Sequence, residues 1–277
     1  MIVDAHHHLW QIGRNGHAWP TPDLAAIHRD FEAADLARIV DGTGVTSTIL
    51  VQTQTDDRDT DWMLDIAADS DLIAGVVGWV DMAAPEASAR IRALAQRPKF
   101  KGLRPMLQGL PDDNWILRPE VRPALLTLID EGLSLDALVF TRHLPVIDAL
   151  AKALPNLSIV IDHGAKPPFA TPDDLPTWRA HMETVAQNTN IACKLSGLFT
   201  ELMPGQSPDE AMPAADHLLA CFGPDRLMWG SDWPVVDLAA SYRAWLDWTR
   251  HWLENKTSRT QETILSGTAR AFYRLAV

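Results

Sequence analysis

Eight short apolar runs rich in β-branched residues, set along a 277-residue chain and separated by longer stretches of helical period, constrain this sequence more than any other feature. They occupy residues 2–5, 47–51, 72–79, 100–104, 135–140, 157–161, 191–195 and 226–229. Leu72-Ile73-Ala74-Gly75-Val76-Val77 is near-continuously hydrophobic. A strand covered on both faces reads this way, whereas a half-exposed antiparallel strand alternates. The runs are therefore expected to be parallel strands.

Helix starts lie between them. Ser207-Pro208-Asp209-Glu210 supplies a hydroxyl cap, a proline at the first helical position and a glutamate able to reach back to the cap N–H. Thr171-Pro172-Asp173-Asp174 is a second start, and Pro85, Pro119 and Pro145 are expected to open others. Over residues 31–40 the apolar side chains fall on one helical face, which Gly42 and Gly44 then end. Strands alternating with helices predict the α/β class and a single (β/α)8 TIM barrel, with an open doubly wound sheet as the alternative. No fixed-period repeat or long linker divides the chain, so one domain over residues 1–277 is expected. Loops 11–30 and 105–119 follow strands, and such loops build the catalytic rim of a barrel, which makes them candidate lid or specificity segments.

Composition narrows the partners. A chain 47% hydrophobic and 22% charged can bury a large core. Its net charge of -12, without a run of basic residues, disfavours nucleic acid and anionic membranes and favours a small-molecule partner. Neither a membrane-spanning apolar window nor a signal-peptide start is legible, so a cytoplasmic enzyme is expected. Cys193 and Cys221, both in apolar surroundings, suit two buried free thiols. Most of the 11 Trp are expected in packing, although Trp can also stack on a sugar face. Oligomeric state is not legible.

Reactive side chains cluster where strands end. The first run leads into His6-His7-His8, and alternation along a strand lets His6 and His8 converge while His7 points away. The sixth run ends in Asp162-His163-Gly164-Ala165-Lys166, and the eighth in Gly230-Ser231-Asp232-Trp233-Pro234. His6, His8, His163 and Asp232 on one rim can hold a divalent cation, or can polarise a carbonyl and activate water without one. For Asp232 the plainer role is capping the helix that follows. Gln52, Gln54, Arg104, Arg142, His143, Lys194 and Ser196 also end strands. Basic residues on the rim of an acidic protein suit a carboxylate or an oxyanion-forming carbonyl, while Arg104 and Lys194 taken singly could be structural ion pairs.

In this ordered set the chain resembles the amidohydrolase superfamily, and within it the branch that holds sugar-acid lactonases. The resemblance rests on Asp4-Ala5-His6-His7-His8-Leu9-Trp10, Ile49-Leu50-Val51-Gln52, Val76-Val77-Gly78-Trp79-Val80-Asp81, Lys101-Gly102-Leu103-Arg104, Asp162-His163-Gly164-Ala165-Lys166-Pro167, Cys193-Lys194-Leu195-Ser196-Gly197-Leu198 and Gly230-Ser231-Asp232-Trp233-Pro234. It implies hydrolysis of a cyclic ester in carbohydrate catabolism. Asp232 would be the base that activates water, with His6, His8 and His163 around the carbonyl oxygen or around a metal bound to it. Arg104, Lys166, Lys194 and Gln52 would contact the sugar acid, and Trp10, Trp79 or Trp233 would pack on its ring.

The fourth run ends Gly102-Leu103-Arg104-Pro105, and His143 lies beyond the fifth, where it is expected to open a helix. This departs from two-metal members of the superfamily and points to one divalent ion, Zn2+, or to none. Two other readings stand beside the lactonase: a Zn-dependent decarboxylase of an unsaturated carboxylic acid on the same barrel, and a catalytically silent barrel that binds a sugar acid.

Overall fold

The computed structural model describes residues 1–275, so the last two residues of the expected 1–277 domain lie outside the described residues. Eight strands form one parallel sheet in sequential order: β1 (Ile2–His7), β2 (Val45–Val51), β3 (Ile73–Gly78), β4 (Phe100–Leu103), β5 (Ser134–Ala137), β6 (Ser158–Ile161), β7 (Ile191–Leu195) and β8 (Leu227–Trp229). The helices α1 (Ala33–Val40), α2 (Asp57–Ala68), α3 (Ala87–Ala95), α4 (Arg122–Asp130), α5 (Leu144–Ala153), α6 (Leu175–Ala186), α7 (Met212–Phe222) and α8 (Tyr242–Leu253) follow the strands in turn. This is the (β/α)8 barrel. After α8 the chain runs through α9 (Ser258–Glu262) and a π turn into α10 (Thr268–Phe272).

Alternate strand residues divide the apolar interior in two. Ile2, Leu50, Val76, Leu135, Ile159, Cys193 and Leu227 pack outward under the helices. Val3, Ala5, Ile49, Val51, Val77, Val160, Ala192 and Met228 fill the lumen together with Ala269, Tyr273 and Leu275 from the C-terminal segment, which closes the lower end of the barrel. Parallel pairing with both faces covered is the physical reason the strands read as unbroken apolar runs.

β8 returns to β1 through side chains and loop backbone instead of a full ladder. The Asp232 N–H donates to the His6 carbonyl at 2.7 Å, the His8 N–H donates to the Trp233 carbonyl at 2.7 Å, and the Ser231 N–H donates to Asp4 Oδ1 at 2.7 Å. Tyr242 on α8 donates its hydroxyl to the other Asp4 oxygen at 3.1 Å. The barrel is thus sealed by the same two segments that carry His6, His8 and Asp232.

Local expectations differ from the structure at a few points. Strand β5 stops at Ala137, short of residue 140, because Leu138 leaves the ladder and its carbonyl accepts from the Gln108 N–H at 3.0 Å. Pro119 does not open α4. That helix starts at Arg122, with Pro123 in its first turn. Ser207 caps as expected, its hydroxyl accepting from the Asp209 N–H, while the first turn after it is a tight 3-10 turn leading into α7. Cys193 is buried, but Cys221 is only half-buried, because its position on α7 faces partly outward. No described helix is long and apolar enough to cross a membrane.

Candidate active site

At the C-terminal rim a cavity of about 480 Å3 is lined by His8, Arg104, His163, Lys166 and Asp232, with Trp19, Thr53, Met106, Gln108, Leu138 and Val235 completing its walls. Trp19 comes from loop 11–30, and Met106 and Gln108 come from loop 105–119.

The register of β1 against β2 shifts between Asp4 and His7. The irregularity changes which side chains face inward. Val3 and Ala5 point into the lumen, yet His6 also reaches lumen-side groups, while His7 pairs in register with the outward Leu50. A bulge of this kind re-aims side chains beside active sites. His6 and His8 then meet with their Nε2 atoms 3.2 Å apart.

His163 arrives by another device. His163, Gly164, Ala165 and Lys166 all have positive φ, between 54° and 57°, so the chain makes a left-handed turn directly after β6. Left-handed backbone costs roughly 1–2 kcal/mol for each non-glycine residue. The turn is held by Trp178, whose indole N–H donates to the Gly164 carbonyl at 2.8 Å, and it puts both His163 and Lys166 on the cavity wall. Asp232 likewise sits at φ 58°, a conformation that aspartate tolerates better than most side chains.

All three imidazoles turn Nδ1 toward the protein and Nε2 toward Asp232. His8 Nδ1 donates to the Val51 carbonyl at 2.7 Å. His163 Nδ1 lies 2.8 Å from Ser196 Oγ. His6 Nδ1 lies 3.1 Å from Lys194 Nζ and 3.4 Å from Asp162 Oδ1. On the cavity side, Asp232 Oδ1 is 3.2 Å from His8 Nε2, 3.7 Å from His6 Nε2 and 3.8 Å from His163 Nε2.

A carbonyl can only accept, so the proton of a neutral His8 is on Nδ1 and its Nε2 presents a lone pair to a carboxylate oxygen. Two acceptors at 3.2 Å require a proton or a cation between them. Burial drives His6, His8 and His163 toward the neutral ring, His163 down to about 4. Burial pushes the Asp232 carboxyl up, but His163 and His8 outweigh it and hold the group below its ordinary range. His6, His8 and Asp232 form one group able to hold a metal ion, and His6, Asp162 and His163 form a second. The donors fit a divalent ion: converging, buried, and mixed imidazole and carboxylate.

The remaining candidates fall at different depths. Arg104 lines the cavity, its NH1 lying 3.2 Å from His6 Nε2 and donating to Asp162 Oδ2 at 3.4 Å, while NH2 donates to the Gln52 carbonyl. Gln52 is fully buried beside it and returns a hydrogen bond from Nε2 to the Arg104 carbonyl at 2.6 Å, so it touches the arginine and does not line the cavity. Lys166 faces the cavity and pairs with Glu201 at 3.1 Å. Lys194 is wholly buried below His6, between Asp136 at 2.6 Å and Asp162 at 3.0 Å.

The structure does not bring Trp10 or Trp79 to the cavity. Trp10 is buried against Trp19 and Phe31, and its indole N–H donates to the Arg29 carbonyl at 2.8 Å. Trp79 is half-buried, with its backbone tied to the Thr60 hydroxyl. Trp233 is buried against Phe31, and it is Trp19 that reaches the cavity. His143 ends the 3-10 turn before α5, at the N-cap position of that helix, and lies 3.1 Å from Asp113, outside the cavity lining, and Arg142 pairs with the same carboxylate at 3.0 Å.

Sequence reasoning passed over Asp136, Tyr273, Glu201 and the apolar wall of Met106, Leu138 and Val235. A signal existed only for Asp136, a charged residue inside an otherwise apolar run. The loop residues carried none, since loop conformation follows from contacts distant in sequence.

A parallel eight-stranded barrel whose rim gathers three histidines and an aspartate defines an amidohydrolase-type enzyme, and the sequence profile of the amidohydrolase family matches residues 3–275, so the chain belongs to that family. An L-fucono-1,5-lactonase of Burkholderia ambifaria is 42% identical over 277 residues, covering 99% of this chain and 95% of that protein. An L-fucono-1,5-lactonase of Burkholderia multivorans is 31% identical, covering 99% and 96%. The crystal structure of a Burkholderia multivorans amidohydrolase with bound zinc superposes with a TM-score of 0.94 at 30% identity, covering 100% of both chains.

Proposed function

We propose that this protein is a lactonase that opens the cyclic ester of a sugar acid, of the L-fucono-1,5-lactone kind, with Asp232 as general base. The observation that carries the reading is the focus of three imidazole Nε2 atoms on Asp232 Oδ1, within 3.8 Å, at the floor of a cavity of about 480 Å3. The 42% identity to a lactonase over nearly the whole chain supports it.

Asp232 is held ionised by its neighbours, so it can take a proton from a water as that water attacks the lactone carbonyl. Arg104 offers N–H donors to the carbonyl oxygen as it gains charge. The ring oxygen departs as an alcohol, with the proton returned from Asp232. Lys166, Gln108 and Thr53 offer hydrogen bonds to ring hydroxyls, while Trp19, Met106, Leu138 and Val235 form an apolar wall. A deoxy sugar acid matches both walls, with hydroxyls for one and a methyl group for the other.

His6, His8 and Asp232, with His163 3.8 Å from the same carboxylate oxygen, would hold a divalent ion, Zn2+ by their chemistry, and a bound ion would polarise the carbonyl and make water a better nucleophile. No specific observation favours the decarboxylase. The same reading gives one barrel domain acting in carbohydrate catabolism in the cytoplasm, where the free thiols of Cys193 and Cys221 are at home.

Proton release, followed with an indicator in weak buffer on a panel of aldono-1,4- and 1,5-lactones, tests the reading. Release is expected on 1,5-lactones of 6-deoxy sugar acids, and a parallel chelated sample reports whether a metal is needed. Silence across the whole panel would overturn the proposal.

A further inference from the structure

Below the cavity lies a layer of charge that the reaction does not use. Lys194 Nζ is enclosed by Asp136 Oδ2 at 2.6 Å, Asp162 Oδ1 at 3.0 Å and His6 Nδ1 at 3.1 Å. Asp136 is held in turn by the Tyr273 hydroxyl, which donates to Oδ2 at 2.7 Å, and by the Ser134 hydroxyl, which donates to Oδ1 at 3.0 Å. The Tyr273 ring also faces Lys194 Nζ at 5.6 Å. Lys194, Asp136 and Asp162 are all fully buried, and Tyr273 nearly so.

Such a layer is expensive. Each buried charge loses its hydration, and apolar side chains of similar volume would fill a barrel at least as stably. The rest of the lumen is built that way, with Val3, Ala5, Val160 and Met228 in one apolar cluster. What the charged layer accomplishes and an apolar one could not is contact with a polar ring edge. His8 has a backbone carbonyl at Nδ1 and His163 has a hydroxyl, whereas His6 rests on this ammonium and carboxylate pair. A histidine whose outer nitrogen is fixed keeps its inner nitrogen aimed.

We infer that Tyr273, Asp136 and Lys194 are positioning residues for His6: the C-terminal turn, through a buried aspartate and lysine, holds the ring so that Nε2 stays at the point shared with His8 and Asp232. Burial and then Asp136 push the Tyr273 phenol well above its ordinary range, which keeps it a donor. Tyr273 itself does not line the cavity and its hydroxyl donates to Asp136, so its influence on the site runs through Asp136 and Lys194. This inference rests on the lactonase reading for its kinetic arm only.

The test uses the full chain, selectively labelled with 15N-histidine, with His6 assigned by the signals lost in His6→Gln. Tyr273→Phe removes one hydroxyl and is the milder variant; Asp136→Asn is the stronger. In both, the 15N resonance of His6 Nδ1 is expected to move while those of His8 and His163 hold. kcat should fall about tenfold, with KM within about twofold, the pattern of a perturbed reacting group instead of lost binding. An unmoved Nδ1 signal, or a moved signal with unchanged kcat, would overturn the relay even if the melting temperature fell, because a packing role alone predicts that combination. Should Asp136→Asn fail to fold, Tyr273→Phe decides alone. If the parent enzyme opens no lactone, the functional reading fails and the 15N arm still judges the relay.

Discussion

His8 Nε2 and Asp232 Oδ1 stand 3.2 Å apart across 224 residues of sequence, one at the end of the first strand and the other just past the last. Their meeting places the Asp232 carboxylate on the seam where the barrel closes. Their backbones are joined there as well, through the Asp232 N–H to His6 and the His8 N–H to Trp233. The convergence of these two side chains and barrel closure therefore share one set of hydrogen bonds.

If Asp232 is the base, Asp232→Asn lowers kcat by roughly 10²- to 10⁴-fold, the usual worth of a positioned proton acceptor. Asparagine accepts the φ of 58° found here, so the melting temperature should hardly change. Turnover near the parent value would remove Asp232 from the mechanism.

His7 gives the opposite expectation. It is fully buried, and neither ring nitrogen has a partner among the described residues. Replacing an unsatisfied polar side chain by an apolar one is neutral or stabilising. His7→Leu should keep kcat within about threefold and leave the melting temperature level or higher, whereas His8→Ala should lose at least about a hundredfold in kcat. Comparable losses in the two variants would show that His7 shares the cavity.

Gly197 sits at φ 62°, and a Cβ there would lie 2.7 Å from His163 Nδ1. Gly197→Ala is therefore expected to push the His163 ring off Ser196, with a roughly tenfold to hundredfold fall in kcat/KM from misplacement. The left-handed backbone adds a stability loss of about 1–2 kcal/mol. Urea denaturation and steady-state kinetics on the same preparation read both effects, and unchanged kinetics would place His163 outside the chemistry.

The pH dependence of stability should carry a signature of His17. This ring lies 3.1 Å from the Thr53 hydroxyl, and burial, with a smaller effect of His8, lowers its pKa from 6.5 to about 4. The unfolded chain then binds the proton more readily than the folded one, so stability is lost as pH falls from 6.5 through about 4. His17→Gln should narrow the difference in urea midpoint between pH 7 and pH 4.5. An unaltered difference would mean that the ring titrates normally.

The strands were legible because their signals are local. Residues 191–195 appear as a strand in the sequence with the same bounds as in the structure, and the runs 100–104 and 157–161 each exceed their strands by one residue at one end. β5 was misplaced at its end because Leu138, Val139 and Phe140 are as apolar as a strand, while only the contact of Gln108 with the Leu138 carbonyl turns the chain away. Trp10 and Trp79 were expected on the substrate for their chemistry, and it is Trp19, in a loop without a periodic signal, that reaches the cavity.

Sequence by itself determined the number and order of the strands, the family, and the convergence of His6, His8, His163 and Asp232 on one rim, since apolar period and the residue types at strand ends are written within a few neighbouring positions. Tertiary structure alone decided depth. It put Lys194 beneath the site and Lys166 on its wall, bulged β1 so that His6 joins the lumen, and carried Tyr273 from the far end of the chain to Asp136. Those outcomes depend on how eight strands close into a ring. Closure is a balance of burial among residues far apart in sequence, which no local period records.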